Sequence, residues 1–442
     1  MTARSGLKRS ATCLRRHVPP TLLLVALVLA GSCSHDGLGP GNPSGWELVA
    51  AGGTHTCALT LAGAAYCWGA NGSGQLGDGT TTDRLKPTAV SGGLQFRTIT
   101  VGGSHSCGVT TSGEASCWGD NTYGQLGDGS GADRLTPTPI HAQFRTVFVA
   151  LSAGSIHTCG LTSAGVPYCW GWNHFNQLGD GSTTDRAVPT PVADGLTFQT
   201  LSLGYAHTCG LTAAGAAYCW GQNAYGQVGD GSLTRQARPT AVAGNMTFAS
   251  LEAGDYHTCG LTGAGTAYCW GADPRGQLGD GSTTNRGTPT NVAGGVRFER
   301  LAAGASHTCG IAGGGAAHCW GAGGTVGDGA DTDRALPVAV SGGLAFASVS
   351  AGGGHTCGLT TVGTAYCWGS NYSGELGAAG VPTAAEFWPP AVVSGGLTFN
   401  CLAAGGFHTC GATPLGRRTA GAATTAAKSA MARPLRAARP AR

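Results

Sequence analysis

Along Phe198–Leu203 (FQTLSL) apolar and polar residues alternate, and the alternation returns at His207–Thr212 (HTCGLT) and Ala217–Trp220 (AYCW). A period of two sends successive side chains to opposite faces of an extended chain, so these read as three short strands. Gly204 ends the first, and Ala213–Gly215 (AAG) turns the chain between the second and third. The run after Trp220, from Gly221 to Ser232, is rich in Gly, Asn and Asp, which favour turns and positive φ. Pro239–Val242 (PTAV) reads as a fourth strand of edge type, where a proline is tolerated. No segment of this unit carries a helical period.

The unit recurs at intervals of about 50 residues. Its markers are His55, His105, His157, His207, His257, His307, His355 and His408, each followed two places later by Cys. In the first seven copies a second Cys stands ten residues after the first, and Trp-Gly follows it. Nine residues before each His lies an aromatic: Trp46, Phe96, Phe148, Phe198, Phe248, Phe298, Phe346 and Phe399. Self-similarity at a fixed period of this size marks a propeller, a solenoid or an array. Four short strands per unit is the content of a propeller blade.

The residues that carry the period also carry a family resemblance. Gly-x-x-His-Thr-Cys-Gly-Leu-Thr, Tyr-Cys-Trp-Gly, Asn-x-x-Gly-Gln-Leu-Gly-Asp-Gly and Pro-Thr-x-Val resemble the repeat of the regulator of chromosome condensation family, over residues 46–411. The resemblance implies an all-β fold, a seven-bladed β-propeller built from repeats of about 50 residues. Trp46 to about Leu397 supplies seven units, and the partial eighth would lend a strand to ring closure, which removes open strand edges.

The chain departs from the family at its cysteines, where the relatives usually carry aliphatic residues and Ser. Each pair straddles a hairpin with its midpoint, such as Ala62, in the turn, so the two residues face each other across strands. A close, non-hydrogen-bonded pair would suit a disulfide. Seven are expected: Cys57–Cys67, Cys107–Cys117, Cys159–Cys169, Cys209–Cys219, Cys259–Cys269, Cys309–Cys319 and Cys357–Cys367. Buried thiols and a metal are the alternatives. His-x-Cys with a second Cys could supply three zinc ligands. However, seven identical zinc sites are a large demand, and the relatives keep the His without the Cys. The His is therefore expected to pack between blades, hydrogen-bonded to neighbouring backbone.

A Cys–His nucleophile fails because catalysis needs one distinct site and these positions are periodic. The Asp of Gly-Asp-Gly and the later Asp-Arg (Asp78 with Asp83-Arg84, Asp128 with Asp133-Arg134, Asp180 with Asp185-Arg186) match neither calcium loop of known spacing. Asx-turns and an exposed Asp–Arg pair are the expectation. No Walker loop, dinucleotide fingerprint or nucleophile elbow is present. No enzyme activity, metal or cofactor is expected.

Charge is sparse, at 11% of residues with a net +3, and gives no footprint for nucleic acid. The N-terminus reads as a signal peptide over residues 1–33. Lys8, Arg9, Arg15 and Arg16 precede an apolar Thr21–Ala30, too short for an ordinary membrane span. Ala30-Gly31-Ser32-Cys33 resembles a bacterial lipobox, with Cys33 as the lipidation site; an ordinary signal peptide is the alternative. Residues 34–45 read as a flexible tether. Export to the cell envelope or medium follows, with a lipid anchor as the sole membrane link.

The eighth unit keeps register to Gly411 and then turns Ala/Arg-rich. Permitted codons for Ala412–Ala422, read from the third base of the first, allow Asp-Ala-Ala-Gly-Ala-Ala-Tyr-Cys-Trp-Gly. Residues 412–442 therefore read as out-of-frame sequence and are expected to be disordered; a genuine tail is the alternative.

The loops before each His and after each Trp-Gly hold most of the variation and fall at one end of the hairpin. On three successive blades they bring Ile156, Trp172, His174, Phe175, Tyr205, Tyr225, Tyr256 and Arg275 to one rim. Trp, Tyr and Arg on a rigid face suit a protein-binding hot spot; tolerant loops that vary without consequence are the alternative. The expected function is a monomeric, non-catalytic, exported scaffold that binds a protein or other macromolecule. The family's nucleotide exchange on a nuclear GTPase fits poorly with a signal peptide. An inhibitor of an envelope enzyme, like the family's secreted β-lactamase inhibitors, and a polysaccharide-acting propeller enzyme are the other readings.

Overall fold

The computed structural model describes residues 46–141, 146–382 and 388–413. The signal peptide, Cys33, the tether and all but the first two residues of the 412–442 segment lie outside that range.

The first blade is an antiparallel sheet of Trp46–Ala51, His55–Thr60, Ala65–Gly69 and Arg84–Ala89, paired in chain order. Six further four-stranded sheets repeat it, and the chain is a seven-bladed β-propeller. The fourth strand starts earlier than its sequence pattern, at Gln236 rather than Pro239 in blade four, because Gln236 pairs with Gly221 beyond a register shift. Pro239 still lies on an edge strand, where its missing N–H leaves no ladder bond unmade.

His, Thr, Cys, Gly and Leu of the second strands are buried together, because both faces of a blade pack on neighbours. The joint between blades one and two shows how. Cys57, Cys67 and Leu76 of blade one pack with Phe96, Ile99 and Trp118 of blade two in one cluster. Gly77 at this joint has φ +69°, and a Cβ there would stand 2.7 Å from the Trp118 indole nitrogen. Any side chain would have to push the tryptophan away.

All seven expected disulfides are present, between residues that face each other in register with Cα atoms 4.1 Å apart. That spacing is the close, non-hydrogen-bonded kind.

The eighth unit contributes two strands at the ring closure where one was expected. It forms its own two-stranded sheet, Cys401–Ala404 with Thr409–Ala412. Gly353 N donates to Gly405 O and Gly406 N to Gly52 O, so this inner half-blade sits between blades seven and one and closes the ring.

Candidate protein-binding rim

The eight histidines form a girdle from blade to blade. The Nε2 atoms of His55, His105, His157, His207, His257, His307 and His355 lie 2.8–3.1 Å from the hydroxyls of Ser106, Thr158, Thr208, Thr258, Thr308, Thr356 and Thr409. His408 reaches Thr56 at 2.7 Å and completes the circle. The partner is a side-chain hydroxyl of the next blade, not backbone as the sequence pattern implied.

Each such hydroxyl in the first five joints is itself a donor, as Ser106 is to Gln75 O at 2.9 Å and Thr208 to Gln177 O. The hydroxyl oxygen must then accept, which puts the imidazole hydrogen on Nε2. The His105 Nδ1 faces Gly102, where a Cβ would fall 2.6 Å away, and has no hydrogen-bond partner. Burial drives these groups far below their ordinary value, His55 to about 3 and His105 to about 4. The cysteines beside the first seven histidines are bridged, and burial keeps the free Cys410 thiol beside His408 protonated. The girdle is scaffolding.

The repeated acids are scaffolding too. Asp78 bonds to its own Arg84 at 2.7 Å, with the Asp side chain 3% exposed, so the pair is not the exposed Asp83–Arg84 neighbour pair expected. Thr80 N and Oγ1 donate to the same carboxylate in an Asx-turn. Burial pushes the Asp78 pKa up, but the Thr80 hydroxyl and Arg84 outweigh it and hold it below the usual carboxylate range. Asp83 instead accepts from Asn71 N at 2.7 Å. Among the described residues no group of three or more His, Cys, Asp or Glu side chains is placed to hold a metal.

What varies lies at the rim. His157 faces Gly171, His207 faces Gly221 and His257 faces Gly271, so the two variable loops of each blade leave the same end of the hairpin. The predicted residues gather into two ring clusters. In one, Trp172 packs edge-on to Phe175 at 5.2 Å and stacks on His174 at 6.2 Å. In the other, Tyr256 of blade five meets Tyr205 at 5.5 Å and Tyr225 at 5.7 Å, both of blade four. Burial lifts the Tyr256 pKa, aided by Tyr205, Asp255 and Tyr225. Tyr205 and Tyr225 are exposed, and Ile156 is half-buried, its carbonyl accepting from Trp172 N. Arg275 turns toward blade six and pairs with Asp333 at 3.3 Å.

Two further residues join the ring clusters: Tyr123, from the variable loop after Trp-Gly in blade two, and Arg235, which escaped the sequence reading. Tyr123 of blade two lies 6.0 Å from Trp172. The Arg235 guanidinium stands 5.0 Å above the Phe175 ring and donates to His174 O at 3.1 Å. A signal for Arg235 was present: blade four reads Arg235-Gln236 where blades one, two, three and six read Asp-Arg. Gln236 replaces the arginine at Asp230, with a 2.6 Å bond, which leaves Arg235 to reach across to blade three.

Among the described residues no helix is long and apolar enough to cross a membrane. Seven disulfides suit an oxidising compartment. The regulator of chromosome condensation (RCC1) repeat matches residues 62–109, 112–161, 165–211, 214–261 and 264–311. A second model of that repeat matches 46–75, 96–125, 148–177, 198–227, 248–277 and 346–375. The ultraviolet-B receptor UVR8 of Arabidopsis thaliana is 32% identical over 148 residues, 33% of this chain and 34% of the receptor. The chain thus spans about a third of that relative's length. Prp20p of Saccharomyces cerevisiae, studied for its binding to Gsp1p and histones, superposes with a TM-score of 0.67 at 21% identity, covering 81% of this chain and 93% of that one. Human WBSCR16 gives 0.67 at 20% identity, with 79% and 98% covered. Yeast RCC1 bound to Kap60 gives 0.66 at 18% identity, with 94% and 97% covered. At such identities the structures speak for the fold alone. With repeat matches over more than half its length and one register in every blade, this chain belongs to the regulator of chromosome condensation repeat family.

Proposed function

We propose that this propeller is an exported, non-catalytic scaffold that binds a protein through the rim of blades two to five. The observation that carries the reading is the pair of ring clusters, Tyr123–Trp172–His174–Phe175 capped by Arg235 and Tyr205–Tyr225–Tyr256. Side chains that pack on one another at a rigid edge lose little entropy on binding, and aromatics with Arg are the residue types that dominate interface energies. A family member of known structure, yeast RCC1 (Prp20), has protein partners: Gsp1p, histones and Kap60. Disulfides in every full blade favour a partner outside a reducing cytosol. Lipidation at Cys33 would hold the scaffold at the envelope. An inhibitor of an envelope enzyme is one form this function could take.

The test replaces Trp172, Phe175 and Tyr225 by Ala and compares cross-linked capture from envelope extract with a control at the opposite hairpin turns, Leu61→Ala with Val362→Ala. The rim triple is expected to lose the captured species at least tenfold at unchanged melting temperature, and the control to keep it. Equal capture by all three proteins removes this rim as the binding face.

A further inference from the structure

One blade carries an exchange of residues that the repeat does not explain. In blades one to four an Asn amide sits at the centre of the loop that follows Trp-Gly. The Asn71 Nδ2 donates to Asp78 Oδ1 at 3.2 Å, Thr80 O at 2.9 Å and Thr82 O at 3.0 Å, while its Oδ1 accepts from Leu76 N. Asn121, Asn173 and Asn223 repeat the arrangement. The amide is surrounded by oxygen acceptors, and its two hydrogens hold the loop closed.

Blade five has Asp273 at this position and Asn285 where blades one to three have Asp83, Asp133 and Asp185. Asp273 Oδ1 accepts from Leu278 N at 2.9 Å, just as the asparagine oxygens do, so Oδ2 stands where the amide nitrogen stands elsewhere. Asp273 is fully buried and its Oδ2 has no hydrogen-bond partner. Around that place in the sibling blades lie the oxygens of a carboxylate, two carbonyls and a Ser or Thr hydroxyl. The matching atoms here belong to Asp280, Ser282 and Thr284. An ionised carboxylate has no hydrogen to give to any of them. The Ser282 hydroxyl has one to offer it, and burial, which raises the Asp273 pKa, is opposed by that hydroxyl.

The second half of the exchange keeps the charge in bounds. Asn285 Oδ1 accepts from Asp273 N at 2.8 Å, the task of Asp83 in blade one. The loop therefore still holds two carboxylates rather than three. Asp280 keeps its arginine, with Arg286 at 2.6 Å, and its Oδ1 accepts from Ser282 N at 2.8 Å. One negative charge has moved from the outside of the loop to its centre. Carboxylate and carbonyl oxygens converging on one point, with a solvent-facing turn to admit water, are what a hard cation takes as ligands.

We propose that the Asp273–Arg286 loop of blade five is a calcium site, with Asp273 Oδ2, Asp280 Oδ1 and the carbonyls of Ser282 and Thr284 as its protein ligands and water completing the shell. Its neighbour Arg275 and the Tyr225–Tyr256 cluster belong to the same end of the blade, so an ion here would stiffen the proposed binding rim. The proposal does not depend on that rim having a partner.

The experiment uses the oxidised chain stripped with chelator and titrated with calcium chloride, with magnesium chloride and choline chloride as controls. Equilibrium dialysis is expected to find one calcium per chain in the range of extracellular modules, about 0.1–1 mM, and a melting temperature that rises with calcium alone. Asp273→Asn, which restores the amide of the sibling blades, should fold and lose calcium affinity at least tenfold. The pair Asn71→Asp with Asp83→Asn should transplant a second site into blade one. An unmodified chain that takes up no calcium, or one whose binding matches that of Asp273→Asn, overturns the site; in the first case Asp273 is a neutral acid donating to a loop oxygen.

Discussion

The seven complete blades and the eighth half-blade carry the same inner sequence, Gly-x-x-His-Thr-Cys-Gly in nearly every copy, yet its groups bond differently. At the joint between blades three and four, the Thr208 hydroxyl donates to Gln177 O and accepts from His157. Trp220 lies against Gly179 of the same loop and donates to the same carbonyl. At the joint between the half-blade and blade one, no such loop exists among the described residues. The Thr56 hydroxyl meets His408 and, at 3.0 Å, the Cys410 sulfur. Trp68 is 7% exposed, while Trp118, Trp170, Trp220, Trp270, Trp320 and Trp368 are 0% exposed. Burial pushes the Cys410 thiol up to about 11, so it stays protonated and inert. The repeat motif is thus a set of contacts made to the previous blade, and its value depends on that blade being whole.

Reduction should break this comparison most forcefully. Each ten-residue loop contributes about 2–3 kcal/mol on the chain-entropy model, and a folded domain holds only about 5–15 kcal/mol in total. Opening all seven bridges is expected to unfold the blades well below the melting temperature of the oxidised chain. Cys410→Ala, which touches no bridge, should cost about 1 kcal/mol. Thermal unfolding with and without a phosphine reductant, with thiols counted by mass, checks both. A reduced chain that melts like the oxidised one would deny the staples their role.

Acid comes next. The girdle histidines are neutral when folded, with values of about 3 to 4, but titrate near 6.5 when unfolded. The unfolded state therefore binds more protons between those values, and stability present above pH 6.5 is lost as pH falls toward 4. Each histidine removes about 1.4 kcal/mol per pH unit in that window. Glu252, raised to about 8 by burial, Asp273, raised to about 7 by burial and by Asp280, and Asp255, also raised by burial, work the other way, but they are three against eight. Denaturant melts from pH 7 to 4 should show falling midpoints. His207→Gln is expected to flatten that slope, and an unchanged slope would take the girdle out of the acid response.

The smallest effect separates the joints themselves. Trp118→Ala opens a packed joint and should cost about 3–5 kcal/mol. Trp68→Ala, beside the half-blade, should cost at least about 1 kcal/mol less, since its indole is already partly uncovered. Equal losses in chemical denaturation would mean that the eighth joint is as complete as the others.

Period and spacing sufficed for the blades, because each strand alternates over four to six residues and every copy repeats the same evidence of its faces. The cysteine pairs were legible for the same reason: ten residues across a tight hairpin leave one facing register. The hydroxyl partner of each histidine was not, since it lies about 50 residues away on the next blade. Arg235 was missed because its meaning rests on Phe175 in another unit, although the break in Asp-Arg was visible. The sequence offered no sign of the ion pair between Arg275 and Asp333, which depends on blade six.

By itself the sequence determined what is local and repeated: four strands per unit, a bridge across each hairpin, and variation held at one end. Only the tertiary structure decided which unit each side chain serves. Blades meet face to face, so a residue's partner is set by the stacking of neighbours in space and not by its distance along the chain. That stacking turns His-Thr into a closed girdle and gives the eighth unit a place of its own in the ring. It also leaves one Asp at the centre of a cage built for an amide.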